Sequence, residues 1–225
     1  MASPRRALII IDAQQQYFDG LLAIEYPPRD QSVARIAEAL DAAAVGDVPV
    51  VIVQHELPEG APVFAAGSDG HRLHPEIERR AEGASKRVSK SVASIFERND
   101  LAEWLRAEGV DTITLTGYMT NNCVVASAAA AEPLGFTVEV LSDATGAIPL
   151  SNHAGSSSAS QVHETLMVLL SSNWAAVATT DGWVDAVQAG TTLPRSNLAE
   201  SATAGRSIEP GVSATGPGAT GGQSG

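Results

Sequence analysis

Short, nearly unbroken apolar runs rich in β-branched residues recur along the chain: Ala7–Ile11, Val48–Val53, Thr112–Gly117, Phe136–Ser142 and Ala175–Thr180. Apolar residues at successive positions, rather than alternate ones, predict strands buried on both faces, as in a parallel sheet. Between them the spacing changes to that of helices. Ser32–Ala44 places Val33, Ile36, Ala37 and Leu40 on one face, with Ser32 as the expected N-cap. Asn99–Gly109 turns Leu101, Trp104 and Leu105 inward and stops at a glycine. "NNCVVASAAAAEPLG" and "SASQVHETLMVLLSS" supply two further helices, and "KRVSK" fits a short strand. This alternation predicts an α/β fold, a three-layer α/β/α doubly wound arrangement on a mainly parallel sheet.

Two segments break the pattern. His55–Lys90 is irregular before Pro75 and interrupted by Pro and Gly, as expected of a lid or binding loop inserted in a compact domain. From Pro194 onward the chain is rich in Gly, Ser, Ala and Thr, with too few large apolar residues to offset its ordering entropy. The expected organisation is one domain over residues 1–193 and a disordered tail over 194–225.

Composition narrows the function. Of 225 residues, 14 are Lys or Arg and 26 Asp or Glu, a formal net charge of −12 without a basic patch, which argues against nucleic-acid binding. The apolar run after Arg5 and Arg6 is cut by Asp12, too early for a signal peptide. No stretch approaches the roughly 20 apolar residues of a membrane span. A lone cysteine forms no intrachain disulfide and fits a reducing compartment, so a cytoplasmic location is expected.

Ligands of open parallel sheets bind beyond the carboxyl ends of the strands. Asp12 ends the first strand, Lys90 ends "KRVSK", and Cys123 follows the strand and turn "TLTGYMTNN". Each has an ordinary alternative: a helix cap or turn former, a solvated cation, a small packing residue. Together they make a hydrolase constellation. A helix N-terminus and a neighbouring Lys lower a thiol pKa. A carboxylate can take the thiol proton and pass it to a leaving amine, and helix-start N–H groups can stabilise an oxyanion.

Four stretches resemble the isochorismatase-like cysteine hydrolase family. They are "ALIIIDAQQQYF", with its acidic residue, glutamine and aromatic; "VSKSVASIF", as K-x-x-x-S-x-F; "GYMTNNCVVASA", as G-x-x-T-x-x-C-V; and "GFTVEVLSDA". The resemblance spans about Ala7 to Asp185. It implies a triad of Asp12, Lys90 and Cys123, a thioester intermediate, and Asp12 as general acid and base. It also implies a non-proline cis peptide at Tyr118–Met119 and an oxyanion hole from the backbone N–H groups of Met119 and Cys123.

The presence of the cysteine favours hydrolysis of a small-molecule C–N bond, in an amide, carbamoyl group or lactam. Family members that cleave the isochorismate vinyl ether lack it. A vinyl-ether hydrolase and a non-catalytic binding protein on the same fold are the alternatives. No cofactor is expected. Metal-binding relatives carry D-x-H after the second strand, where this chain reads "VQHELPEG". Asp69, His71 and His74 in "SDGHRLHPE" have ligand chemistry but lie beyond that loop. Phe18, His55 and Tyr118, with Tyr17, are candidates to line a substrate pocket. His163 is expected on the polar face of its helix, and His153 in a polar loop. The expected partners are a small-molecule substrate and, by the resemblance, further copies of this chain in a homo-oligomer (dimer or tetramer), with no nucleic acid and no membrane.

Overall fold

The computed structural model describes residues 3–207. The chain runs through β1 (Arg6–Ile11), one-turn α1 (Gln16–Asp19), α2 (Arg29–Val45), β2 (Val50–His55), one-turn α3 (Pro75–Glu78) and β3 (Lys86–Lys90). It continues through α4 (Leu101–Ala107), β4 (Thr112–Tyr118), α5 (Val125–Leu134), β5 (Thr137–Gly146) and a hairpin of β6 (Leu150–Asn152) and β7 (Gly155–Ser157). Last come α6 (Ala159–Asn173), β8 (Ala175–Ala178), α7 (Thr180–Ala189) and α8 (Leu198–Arg206). Six strands form one sheet in the order β3-β2-β1-β4-β5-β8, with every adjacent pair parallel.

The apolar runs are continuous because both faces of this sheet are covered. Along β1, Ile9 and Ile11 pack with Leu101 and Leu105 of α4 and Ala128 and Ala131 of α5. Leu8 and Ile10 point the other way, to Ile36 and Leu40 of α2 and Trp183 of α7. Successive strand residues face opposite sides, so two helical layers demand an apolar residue at every position. The chain winds outward from β1 to β3, then crosses back to β4. The β1/β4 border is therefore the topological switch point, where a crevice forms at the strands' carboxyl ends. Among the described residues no helix is long and apolar enough to cross a membrane.

Several local expectations are corrected. Ser32 is not an N-cap: α2 begins at Arg29 after Pro28, and Ser32 is buried inside it, its Oγ 2.7 Å from the Tyr118 hydroxyl. β5 runs on to Gly146, and β6 and β7 form an exposed hairpin carrying His153 at its turn. Part of the expected tail is helical. Leu198–Arg206 forms α8 against α6, and the Asn197 side chain accepts from the Glu200 N–H at 2.9 Å. The rest of that tail, from residue 208, lies outside the described residues.

Candidate active site

Three strand ends deliver the site. Asp12 follows β1 and adopts a left-handed backbone with φ 50°, unusual for a residue with a side chain. Its N–H donates to Val53 O at 2.9 Å, tying it to β2. Lys90 ends β3 in register with His55 of β2. Paired residues on parallel neighbours project to the same face, which brings the His55 ring to the Lys90 ammonium. Cys123 sits in a π-turn, Thr120–Val124, that joins β4 to α5.

The geometry is tight and dry. Lys90 Nζ donates to Asp12 Oδ2 at 2.6 Å, to Cys123 Sγ at 3.3 Å and to Val92 O at 3.2 Å, and lies 3.1 Å from His55 Nδ1. Asp12 is 0%, Cys123 1% and Lys90 4% exposed, so solvent screens none of these charges. The second carboxylate oxygen, Asp12 Oδ1, is buried without a hydrogen-bond partner among the described residues. A buried acceptor left free is costly, and functional sites tolerate that cost where the group is needed for chemistry.

Burial sets the protonation states. The helix-start argument anticipates an acidified thiol; instead burial pushes Cys123 up to about 12, the Asp12 charge adds to this, and Lys90 opposes it. Desolvation outweighs the ammonium. Burial also raises Asp12 above its usual range, against Lys90. The thiol is thus kept protonated, with the Asp12 carboxyl group beside it as the candidate proton acceptor. His55 is lowered to about 4, first by burial and then by Lys90, so above that pH its neutral ring can present Nδ1 as an acceptor.

Backbone shape around the nucleophile comes from a few residues. Gly117 has φ 95°, and a Cβ there would meet Ile11 O at 2.0 Å, so only glycine lets β4 close on β1 before the turn. The Tyr118–Met119 peptide is cis, as the family resemblance implies. The Asn122 and Val124 N–H groups donate to Met119 O, whereas the Met119 N–H has no acceptor among the described residues. Ser127 Oγ donates to Cys123 O at 2.6 Å and accepts from Ile95 N at 3.2 Å, linking α5 to the loop after Lys90.

Aromatic side chains close the roof. Phe64 packs on His55 at 5.0 Å and on Tyr17 at 5.2 Å, its own backbone left-handed at φ 51°. Tyr17 faces the charges: burial, then Asp12 and Cys123, raise its hydroxyl pKa. Of the pocket candidates, His55 joins the triad directly. Phe18 lies on His74 at 4.3 Å and edge-on to Tyr118, and the Tyr118 hydroxyl pairs with Ser32. His71 O and His55 O both accept from Gln14 Nε2, and Gln14 Oε1 accepts from His55 N, so one buried glutamine fixes β2's end to the inserted loop.

Asp69, His71 and His74 do not converge. Among the described residues the only Asp/Glu/His/Cys group with metal-like spacing is Asp12, His55 and Cys123, whose ligand atoms lie within 4.8 Å of one another. The Lys90 ammonium reaches all three, so a divalent ion there would have to displace a buried cation. His163, expected on a polar surface, is 3% exposed and bonded to the nucleophile turn.

The fold has close counterparts. Residues 6–181 match the isochorismatase domain. The crystal structure of an isochorismatase-family protein from Burkholderia xenovorans LB400 is 49% identical and superposes with TM-score 0.89, covering 91% of this chain and 98% of that one. The secreted isochorismatase effector Isc1 of Verticillium dahliae is 34% identical over 139 residues, 62% of this chain and 71% of that protein. Maleamate amidohydrolase of Pseudomonas putida KT2440 is 30% identical over 154 residues, again 62% of this chain and 71% of that one. The chain is an enzyme of the isochorismatase family of hydrolases, a family that includes amidohydrolases.

Proposed function

We propose that the chain is a cysteine-dependent hydrolase of a small-molecule C–N bond, in an amide, carbamoyl group or lactam, working through a thioester without a metal. The observation that carries this reading is the buried ammonium of Lys90, 2.6 Å from a carboxylate and 3.3 Å from a thiol. A thiol held neutral beside a carboxylate of raised pKa is poised to lose its proton as it attacks.

In this reading the Cys123 proton passes to Asp12 as Sγ bonds to the substrate's carbonyl carbon. The carbonyl oxygen takes the displaced electron pair and accepts from the N–H groups of Met119 and Cys123. The C–N bond then breaks, and the amine leaves with the proton held by Asp12. Water, deprotonated by Asp12, attacks the thioester; the acid departs and the thiol is restored. Lys90 keeps Asp12 ionised and offsets the charge developing on sulfur. Tyr17, Phe64 and His55 exclude water around the thioester. A reducing cytoplasm keeps Cys123 a free thiol, and self-association is read by light scattering.

The test is ammonia release across nicotinamide, maleamate, N-carbamoyl amino acids, ureas and small lactams, the lactams followed by loss of ring absorbance. Wild-type turnover of at least one, lost in Cys123→Ala, is expected. Full turnover by that variant sinks the nucleophile.

A further inference from the structure

His163 is a buried imidazole that the chemistry above does not use. It projects from α6, and its ring joins two separate elements. Nε2 lies 3.0 Å from Ser142 O of β5, and Nδ1 lies 3.0 Å from Thr120 Oγ1, the first residue of the nucleophile turn. A carbonyl only accepts, so Nε2 carries the proton. Burial lowers the His163 pKa, opposed by the Ser142 bond and the nearby Glu164, so the ring is neutral and Nδ1 is bare. The Thr120 hydroxyl must then donate to Nδ1. Thr120 is itself fully buried and has no other side-chain partner among the described residues. Its neighbour Met119 carries the N–H without an acceptor.

We propose that His163 is a positioning residue: as a neutral, Nε2-protonated ring bolted to β5, it accepts the Thr120 hydroxyl and holds the turn so that the Met119 N–H points at the developing oxyanion. The inference rests on the thioester reading above. It assigns the imidazole a role through backbone geometry, without contact to the thiol, so its signature is selective. Acyl transfer to Cys123 needs the oxyanion donors; alkylation of the same sulfur does not.

The two nitrogens can be separated by substitution. Asn places its Oδ1 near the Nδ1 position and keeps an acceptor for Thr120; Gln places its amide near Nε2 and keeps the bond to Ser142 O. The probes are p-nitrophenyl acetate, which acylates the sulfur with release of p-nitrophenolate, and iodoacetamide, which alkylates it with release of iodide. His163→Gln and Thr120→Val are expected to slow acylation roughly ten- to hundredfold while alkylation stays within about twofold. His163→Asn is expected to retain acylation within about threefold, and His163→Gln to add little to Thr120→Val in the double variant.

Equal losses in His163→Asn and His163→Gln would overturn the role. So would alkylation that changes in step with acylation, because a loosened turn affects both. Both probes failing to label Cys123→Ala, alongside normal acylation in His163→Gln, removes the positioning role and leaves the nucleophile standing. Undiminished acylation and amide turnover in Cys123→Ala overturn both readings.

Discussion

Two buried ion pairs sit at opposite ends of the same sheet, and they are built differently. At the amino ends of the strands, Glu139 accepts from Arg6 Nε and Nη2 at 2.9 Å, from Thr114 Oγ1 at 2.8 Å and from Trp183 Nε1 at 3.1 Å. Arg6 Nη2 also donates to Thr191 O at 2.6 Å, so the fork is anchored on both sides. At the carboxyl ends, Lys90 meets Asp12, but Asp12 Oδ1 has no partner among the described residues and the thiol beside it is protonated. Both pairs are desolvated to a similar degree. In the first network both carboxylate oxygens of Glu139 accept hydrogen bonds; in the second, one carboxylate oxygen is left over beside a nucleophile. Saturation, not burial, separates the pair that holds the fold from the pair that can react.

The largest effects should come from the reactive end. Cys123→Ala deletes the attacking atom, and Asp12→Asn deletes the proton acceptor; each should lower turnover of the amide substrate roughly a thousandfold or more. They should differ in stability. Cys123→Ala trims one buried atom, whereas Asp12→Asn strands the Lys90 ammonium without a counter-charge. Denaturant unfolding beside single-turnover kinetics reads both effects. An Asp12→Asn enzyme with turnover near wild type would remove the functional half of the comparison.

The mirror experiment is Glu139→Gln. It leaves Arg6 buried without a counter-charge and should cost about 3–5 kcal/mol of folding stability. Turnover per folded molecule should change little, because the network lies at the far end of the strands from Cys123. A large loss of turnover at unchanged stability would show that the two ends are coupled.

The reactive end was legible in the sequence because the strands are buried on both faces; the Arg6–Glu139 network was not. Continuous runs such as Ala7–Ile11 have few other uses in a soluble chain, and a parallel sheet puts its chemistry at predictable ends. Asp12, Lys90 and Cys123 could be named on that ground. Features set by distant partners could not. Ser32 reads as a cap until Tyr118, far along the chain, supplies a hydroxyl 2.7 Å away. His163 reads as a polar-face residue until Thr120 and Ser142 close around it. The β6–β7 hairpin is wholly exposed and carries no apolar alternation, so periodicity had nothing to register. The Asn197-x-x-Glu200 pattern does mark a helix start, but α8 buries no side chain, and composition masked it. The thiol's protonation was misjudged because charge neighbours are visible in a motif while the depth of burial is not.

A pH series sharpens the reactive end. His55 has its pKa lowered from 6.5 to about 4 in the folded chain. The folded state therefore binds this proton less tightly than the unfolded state. The stability that His55 contributes is complete above pH 6.5 and is lost as pH falls towards and through about 4. Thermal unfolding should show a decline over that window, and His55→Gln should flatten it. Asp12 acts separately. With its folded pKa raised, its stability contribution is complete below the usual 3.8 and is lost as pH rises through the raised value. Turnover follows the ionised carboxylate, so kcat/KM should fall at low pH with a midpoint above 3.8. An acid limb unchanged in Asp12→Asn would assign that titration to another group.

The smallest effect tests how saturated the structural end is. Thr114 Oγ1 donates to Glu139 Oε2 and accepts from Trp183 Nε1 at 2.9 Å, yet Trp183 Nε1 also reaches Glu139 directly. Thr114→Val keeps the shape and removes one donor, leaving the indole N–H its second acceptor and the carboxylate its arginine fork. Such redundancy should hold the loss to about 1 kcal/mol, the net value of one hydrogen bond. A cost approaching that of Glu139→Gln would mean the network fails as a unit. Saturation would then be a cooperative property of the four side chains, and the free oxygen on Asp12 at the opposite end would be the more unusual for having no such group around it.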